Sequence, residues 1–474
     1  MKIHLTPIAQ KCLPASLAAR AEPILSKLDT IINGQGDSAV SGRIAMFAFT
    51  IRIFSAAIAY LSQIVLVRLM GAFEYGIFVA VWVAAVILGG IACLGFQTGI
   101  IRFISEYRSS GEHDHLRGSI LGALSWAFMG ATIIAAIGSS IIYMFPGLFE
   151  NYFLVPIYLA AICLPMLALQ EVQDGFARAH NWPGTALAPT FILRPILILM
   201  FMAGAIYLDY AADAPTAMLA TIFATYCASI GQFFLLVKKL RKAVPKGPRK
   251  YLPAKWLVIT MPIFLIEGFY NLLTNVDIIF VSHYMQPDQV AVYFAAAKTL
   301  ALVHFVYFAV KAAAAHRFST YRASGDHSRY EQFIQETVHW TFWPSLFLAL
   351  FMLVAGKYFL MLFGPSFVAG ESIIWILTIG IIVRSSVGPA ESVLTMSGKQ
   401  KAYAFVYAVT LMLNLFLNWI LIPIYGLNGA AMATTLALIF EAFALYAAAL
   451  RTLDLHIFIL PRRKRKDTDF QAAE

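Results

Sequence analysis

Long apolar runs without a charged residue constrain this chain more than any other feature of its sequence. Residues 118–144 and 214–237 contain no Asp, Glu, Lys or Arg. A helix needs about 20 apolar residues to cross the hydrocarbon core of a bilayer. At this length only a helix satisfies its own backbone hydrogen bonds in lipid. These runs therefore predict transmembrane helices and not the strands of a membrane barrel.

Comparable runs recur along the whole chain of 474 residues, of which 60% are apolar or aromatic and only 13% are charged. An average soluble protein has about 25% charged residues, and so few polar groups could not cover a globular surface. The sequence predicts an all-α polytopic membrane protein with about twelve transmembrane helices. The predicted spans are 44–66, 77–99, 118–144, 152–172, 185–208, 213–237, 256–281, 290–315, 339–362, 372–397, 402–425 and 427–450.

The distribution of Lys and Arg among the connections predicts the orientation. With the N-terminus inside, the inner segments carry 28 of these residues, and the outer side carries only Arg68 and Lys357. Cytoplasmic loops are rich in Lys and Arg, so we expect a bacterial inner-membrane protein with both termini in the cytoplasm. The basic runs at 238–242 and 462–466 are then retention signals beside anionic lipid. Nucleic acid is not an expected partner.

The basic connection 238–255 contains three prolines and follows the sixth predicted span. It divides the chain into a first six-helix half, 44–237, and a second, 256–450. The flanking segments 1–43 and 451–474 are predicted to be a cytoplasmic arm and a basic cytoplasmic tail.

The two halves also share a pattern. A polar turn followed by small, aliphatic and aromatic residues occurs at 68–78 and again, at an offset of 215 residues, at 283–293. Two six-helix repeats with the substrate site between them are an architecture of secondary transporters. The pattern therefore predicts a transporter with a central cavity.

Four segments carry a resemblance to a known family. The turn at 68–78 reads RLMGAFEYGIF, and the end of the second span at 95–108 reads GFQTGIIRFISEYR. Segments 275–298 and 414–431 follow at the seventh-to-eighth and eleventh-to-twelfth helices. In order and spacing they resemble the polysaccharide and oligosaccharide (Wzx-like) flippases, which share a superfamily with multidrug-and-toxin exporters and lipid II flippases. The resemblance covers residues 44–450.

This resemblance implies a function. Members of the family are thought to move undecaprenyl-diphosphate-linked oligosaccharides from the cytoplasmic to the outer leaflet, by alternating access. The glycan is then polymerised or exported as O-antigen, capsule or exopolysaccharide. The implied partners are the lipid-linked oligosaccharide, membrane lipids, and glycan polymerase and export machinery. No cofactor is implied beyond coupling to Na⁺ or H⁺.

Charged residues inside the spans are the functional candidates, because a charge at a helix centre costs about 2.5–3.5 kcal/mol on insertion scales. Arginine offers phosphate a planar, permanently charged fork of donors. We therefore predict a cationic cavity for the diphosphate. The alternative is that each cation pairs with an acid or reaches the interface, as predicted for Lys311. The cavity cations are Arg52, Arg194, Lys298 and Arg384.

Acids inside the spans are candidates for coupling or gating. Glu267 falls at the 215-residue offset from Arg52, and we hypothesise a pair between the halves that is made in one state and broken in the other. Acids of relatives bind sodium or protons, which makes Asp277 and Glu391 candidates for ion coupling. The alternative for these two is a carboxylate at an aqueous mouth without a coupling role.

Two other functions compete with flipping. A cation-coupled multidrug exporter of the same superfamily would favour acids in its cavity, whereas the charges deep in these spans are mainly cationic. A membrane glycan polymerase or ligase would need a large outer loop for its site, and the outer loops here are short. The sequence has no Gly-rich lysine loop, His/Cys metal spacing or nucleophile elbow. The chain is therefore not predicted to be an enzyme and has no predicted catalytic or metal-binding residues.

Overall fold

The computed structural model describes residues 37–460 except 245, 324 and 325, with side chains from Thr50 onward apart from some within 312–323. The predicted tail beyond 460 and most of the predicted arm lie outside the described residues. The described part consists of α-helices and short helical turns and contains no strand.

The first half contains seven helices, of which α5 and α6 are joined by a π-helical turn at Pro189–Leu193. They are α1 (Asp37–Ala92), α2 (Phe96–Ser109), α3 (His113–Met144), α4 (Asn151–Ala179), α5 (Pro183–Ala188), α6 (Arg194–Tyr207) and α7 (Ala214–Ala243).

The second half contains nine helices, several of which are segments of one membrane pass. They are α8 (Pro253–Leu273), α9 (Val276–Tyr284), α10 (Pro287–Leu300), α11 (His304–Ala323), α12 (His327–Phe363), α13 (Glu371–Ser385), α14 (Ala390–Met396), α15 (Gln400–Tyr425) and α16 (Leu427–Leu453).

The long helix α1 comprises two membrane passes. Gly71 has φ +80° and ψ 169°, outside the helical region, which a residue without a Cβ adopts readily. Tyr75 donates a hydrogen bond of 2.7 Å to Gln63, although twelve residues of straight helix would separate them by about 18 Å. The chain therefore folds back at Gly71. The eleven described apolar stretches long enough to cross a membrane then become twelve passes, and the predicted all-α, twelve-helix fold in two repeats is confirmed.

Several passes predicted as continuous are broken. The seventh is interrupted at Thr274 and Asn275, where the amide of Asn275 donates to the carbonyl of Asn271 at 2.9 Å. The tenth is interrupted between α13 and α14, where Gly388 has φ +54°. Breaks at membrane depth are tolerated where the freed backbone groups find partners inside the protein. These breaks lie beside the buried charges described below.

The halves share one apolar core at one end of the bundle and have separate cores at the other. We call the end at which 244–252 joins α7 to α8 the linker end, and the opposite end the far end. The far-end core contains buried residues of both halves, including Tyr75, Phe78, Tyr293 and Phe294. At the linker end, one core belongs almost wholly to the first half and another to the second. The halves are therefore closed together at the far end and diverge towards the linker end.

Close backbone packing accompanies the shared core. Gly76 on α1 lies so near Pro287 on α10 that a Cβ at Gly76 would be 1.7 Å from the Pro287 carbonyl oxygen. Arg68 donates hydrogen bonds of 2.9 Å to the carbonyls of Met361 and Leu362 in the last turn of α12. The freed carbonyls of a helix C-terminus are commonly satisfied by such cations. Arg68 thus joins the first half to the second at the far end.

One contact between the halves also persists towards the linker end. Helix α8 lies against α2, where a Cβ at Gly99 would be 2.5 Å from the methyl group of Thr260. The indole of Trp256 donates to the hydroxyl of Tyr107 at 3.0 Å. Helix α8, although part of the second half by sequence, is therefore packed on the first half along its linker-end portion.

Substituting Gly76 tests whether the close contact at the far end stabilises the fold. We expect Gly76→Leu to destabilise the protein by at least about 1–3 kcal/mol, because the new side chain would displace the backbone of Pro287. The readout is the thermal unfolding midpoint of the purified protein in detergent. Gly138→Leu is the matched control, because a Cβ at Gly138 meets no atom within 4 Å. Equal unfolding midpoints for the two variants would show that the contact between Gly76 and Pro287 does not stabilise the fold.

Candidate functional site

Arg384 lies in the last turn of α13 and is held by two buried carboxylates of the second half. Its Nε donates to Glu441 on α16 at 2.6 Å, and its Nη2 donates to Glu391 on α14 at 3.0 Å. The break between α13 and α14 supplies a third acceptor, the carbonyl of Gly388 at 3.2 Å. The interruption of the tenth pass therefore builds this charge cluster.

Lys311 on α11 completes the cluster. Its ammonium lies 3.4 Å from Glu391, with 42% of the Lys311 side chain exposed but only 3% of the Glu391 side chain. In this conformation Lys311 is paired with a buried acid, and the prediction that it reaches the membrane interface stays a prediction. The cluster contains two cations and two acids, and Lys311 is its most exposed member.

The neutral cluster bears on the predicted role of Arg384. Both carboxylates would have to give up bonds before Arg384 could present a free charge to a substrate. Removing one partner of a buried ion pair leaves an uncompensated charge, which costs about 3–5 kcal/mol. In this conformation Arg384 holds α13, α14 and α16 together, and substrate binding by it stays a prediction.

The stabilising role of Arg384 can be separated from a substrate-binding role. We expect Arg384→Gln to lower stability by about 3–5 kcal/mol, since Glu391 and Glu441 would lose their shared partner. Thermal unfolding in detergent without substrate measures the loss. The control is Arg52→Gln, because Arg52 is exposed and forms no ion pair with a described residue. An unchanged midpoint for Arg384→Gln would show that the cluster contributes nothing to the fold.

Asp277 occupies a separate buried site in the second half. It lies in the first turn of α9, just after the break in the seventh pass, and is 7% exposed. Its Oδ2 accepts a hydrogen bond of 2.6 Å from Tyr293 and lies 3.5 Å from the hydroxyl of Thr434. No described cation lies within ion-pair distance of this carboxylate.

Polar groups on α15 lie in the same half. Helix α9 packs against α15 and α16. Asn414 and Asn418 on α15 are almost fully buried, and Asn418 donates to the Asn414 carbonyl at 2.9 Å. The Oδ1 atom of Asn418 has no hydrogen-bond partner among the described residues. The second half therefore contains an unneutralised carboxylate and an unsatisfied amide oxygen, which are groups able to hold a proton or a small cation.

Lys298 lies on α10, close enough to Asp277 for the two charges to interact. Its ammonium lies 5.0 Å from the centroid of the Phe294 ring. No hydrogen bond or ion pair joins it to a described residue. Lys298 thus belongs to the surroundings of Asp277 in this conformation, on the second-half side of the molecule.

Arg194 lies inside the first half. Its guanidinium is 5.2 Å from the centroid of the Trp82 ring, and it donates to the side-chain oxygen of Gln170 at 3.1 Å. A cation over an aromatic face and a neutral amide stabilise the charge without cancelling it. The four predicted cavity cations are therefore not brought together in one site.

A third group of polar residues lies where α2, α4 and α8 meet, between the halves. Gln97 on α2 donates to Glu267 on α8 at 2.7 Å, and Arg178 on α4 donates to the carbonyl of Gln97 at 3.1 Å. Arg52 is near enough to Arg178 and Tyr270 to interact electrostatically with both. In this conformation Glu267 is bound by Gln97, and the hypothesised pair with Arg52 is not formed.

Sequence reasoning missed three charged residues of the fourth helix, of which Glu171 lies inside the predicted span while Asp174 and Arg178 lie beyond its predicted end. It ended the span at residue 172, whereas α4 continues to Ala179. Exposed Glu171 and Arg178 both interact electrostatically with Glu267. Asp174 is buried and accepts hydrogen bonds from Thr190 and Gln232 at 2.9 and 2.6 Å. The available signal was that QDGFARA, although polar, contains no helix-breaking proline.

The described residues contain no group of three or more His, Cys, Asp and Glu side chains placed to hold a metal ion. The buried acids instead interact with arginine, tyrosine, threonine and glutamine side chains. This chemistry suits the binding of charge and the movement of protons or monovalent ions.

Two family models match the chain. The model described as a polysaccharide biosynthesis protein matches residues 42–320, which is more than half of the sequence, and the model named MatE matches residues 262–420. The chain belongs to the polysaccharide biosynthesis protein family. This finding confirms the family resemblance that the sequence motifs indicate. A comparison with curated proteins gives no match.

Solved structures share the fold of this family member. An inward-facing multidrug resistance MATE family transporter of the MOP superfamily has a TM-score of 0.69 at 13% identity, over 84% of this chain and 94% of that chain. A MOP superfamily transporter of Pyrococcus furiosus gives 0.67 at 14% identity, over 89% and 97%. The lipid II flippase MurJ, in an inward closed conformation, gives 0.65 at 15% identity, over 85% and 87%.

The family matches and the shared fold together give a coarse function. The chain is a multi-pass membrane transporter of the MOP superfamily. The prediction of a transporter and not an enzyme is confirmed, since the matching families and folds are those of transporters and flippases.

Proposed function

We propose that this protein flips an undecaprenyl-diphosphate-linked oligosaccharide from the cytoplasmic to the periplasmic leaflet of the bacterial inner membrane by alternating access. The glycan would be a repeat unit of O-antigen, capsule or exopolysaccharide. The observation that carries the proposal is the position of Arg52, an exposed arginine at the interface of the halves without an ion-pair partner among the described residues.

Other cations lie near Arg52. Exposed Arg178 on α4 interacts with it from the first half, and Lys311 on α11 interacts with it from the second. The acids described in the same region already have partners or are exposed. Glu267 is hydrogen-bonded to Gln97, Glu391 is bound by Arg384 and Lys311, and Glu171 is exposed. Three cations from both halves thus converge where the halves diverge, which suits a diphosphate headgroup that has left water.

The closed far end supports alternating access. The halves share a core there and diverge towards the linker end, which the predicted topology places in the cytoplasm. A headgroup entering from the cytoplasmic leaflet would meet Arg52, Arg178 and Lys311. A phosphate that attracts Lys311 would compete with Glu391 for it. Loading of the substrate would thereby loosen the buried cluster that joins α11 to α14, and this gives binding a route to a conformational change.

The energy source proposed for the return step is ion coupling at Asp277, with Glu391 as the alternative site. Asp277 is buried, carries no ion-pair partner among the described residues, and is bound by Tyr293. A buried ionisable residue within a membrane helix is a functional candidate by default, because burial of its charge is costly. A proton or Na⁺ would neutralise Asp277 in one state of the cycle.

A multidrug exporter is the second candidate, because the MatE model matches residues 262–420. The same superfamily fold would then expel cationic compounds through a cavity that attracts positive charge. The cations around Arg52 oppose this function. The two candidates predict different phenotypes in the same strains, namely restored surface glycan for the flippase and drug resistance for the exporter.

Complementation tests the flippase. Strains that accumulate a lipid-linked oligosaccharide for want of their own flippase would receive wild type, Arg52→Ala or Arg451→Ala, with surface glycan measured by blotting at equal membrane levels. We expect wild type to restore the glycan, and Arg52→Ala to reduce it about 10-fold or more, because a charge-assisted hydrogen bond contributes about 1.5–3 kcal/mol. Arg451, exposed in the last turn of α16, is the matched control. Drug resistance without restored glycan in any strain of the panel would favour the exporter.

Ion coupling has its own test. Asp277→Asn keeps the size of the side chain and a hydrogen-bonding partner for Tyr293 but removes the ionisable group. We expect this variant to lose the stimulation of transport by an imposed Na⁺ or proton gradient in vesicles, while binding of the lipid-linked substrate persists. Asp288→Asn, at an exposed position in the first turn of α10, serves as the control. Full gradient dependence in Asp277→Asn would assign coupling elsewhere, with Glu391→Gln as the next variant.

A further inference from the structure

A cavity of about 460 Å³ lies away from the contact between the halves, on the linker end of the first half. Its walls come from α3, α4 and α7 and from the linker that connects the halves. One part of the lining is apolar and includes Leu121, Leu124, Phe233 and Leu240. The other part is a rim of basic side chains. The basic rim consists of Arg117, Arg241, Lys246 and Arg249.

The basic rim carries charge that the protein does not neutralise. Among the described residues, no Asp or Glu lines the cavity. Arg117 forms an ion pair with Asp114, and its Nε donates to the carbonyl of Pro248 at 2.8 Å. The other three cations have no described carboxylate within ion-pair distance. The rim therefore offers several donors and a net positive charge to an anionic group.

The apolar wall is open to the surroundings of the bundle. Leu121 on α3 is 38% exposed and Phe233 on α7 is 42% exposed. The exposed apolar surface continues along α7 away from the rim, through Phe234 and Ile230. On a membrane-spanning helix such residues face hydrocarbon. The cavity thus joins the bilayer interior to a cluster of cations at its surface.

The two chemistries together identify the ligand. We propose that this cavity binds an anionic phospholipid, with the phosphate at the basic rim and an acyl chain along the apolar wall. Basic pockets between transmembrane helices on the cytoplasmic side are suited to anionic lipid headgroups. A free phosphate would use the rim alone and leave the apolar wall without a function, so the lipid is the occupant that accounts for both surfaces.

The position of the cavity links the lipid to the connection between the halves. Lys246 and Arg249 belong to the linker, whereas Arg241 lies in the last turn of α7 and Arg117 belongs to α3. The linker already folds onto α3, since the amide of Lys250 donates to the carbonyl of Asp114 at 3.0 Å. A bound phosphate would hold these elements together, and the lipid would anchor the linker to the first half.

Lipid binding can be measured without transport. The full-length protein would be purified in detergent, and its binding of phosphatidylglycerol measured by native mass spectrometry, with phosphatidylcholine as the neutral probe. The test variant replaces Arg241, Lys246 and Arg249 with Gln. The charge-matched control replaces Lys242, Lys399 and Lys401 with Gln, which are exposed at the same end and do not line the cavity. A further variant, Leu121→Trp, fills part of the cavity beside its apolar wall and leaves every charge in place.

We expect the test variant to bind phosphatidylglycerol about 100-fold more weakly than wild type. Each of the three basic residues raises the affinity for an anionic lipid by about a factor of five. The control should bind as wild type does, and Leu121→Trp should also weaken binding. Equal losses in test and control variants would overturn the proposal, because binding would then follow net charge alone. Unchanged binding by Leu121→Trp, with competition by inorganic phosphate, would reassign the rim to free phosphate. If undecaprenyl diphosphate displaced bound phosphatidylglycerol and the reverse displacement did not occur, the cavity would be reassigned to the transported lipid.

Discussion

The rest of the structure depends on the contact between the two halves at the far end. Gly76 and Pro287 bring α1 and α10 into backbone contact, and buried aromatic side chains of both halves form one core beside them. Because the halves join there, they can diverge at the linker end without separating. The divergence exposes Arg52 and Arg178, residues that a fully packed twelve-helix bundle would have to bury or pair. One apolar contact thus decides which charges are accessible.

The charges inside the membrane region divide into structural and available groups. Arg384 is bound by Glu391 and Glu441, so its charge is cancelled and it joins three helices. Arg52 has no such partner among the described residues. Lys311 is intermediate, since it contacts Glu391 yet stays 42% exposed. The proposed flippase depends on how strongly each cation is already paired. A diphosphate can bind Arg52 directly and must compete with Glu391 for Lys311. It can bind Arg384 only if the buried cluster breaks.

The sequence predicted the helix count, the two repeats and which residues carry charge inside most of the spans, but it treated each span as uniform. Hydropathy averages over about 20 residues, so two polar residues such as Thr274 and Asn275 do not interrupt a predicted span. The same averaging ended the fourth span at 172 and assigned Asp174 and Arg178 to a loop. Both lie on α4, where Asp174 is buried and accepts a hydrogen bond from Thr190, and exposed Arg178 donates to the carbonyl of Gln97 on α2.

The sequence by itself determined that the chain crosses a membrane about twelve times, because helix formation by an apolar run in lipid depends only on local composition and length. It also determined which residues would carry charge there. Only the tertiary structure decided the partners of those charges. Arg384 and Glu441 are 57 residues apart in sequence and 2.6 Å apart in space, while Arg52 and Glu267, at matching positions of the two repeats, are not paired. Electrostatic pairing depends on distance in space, which the packing of helices sets and no linear pattern contains.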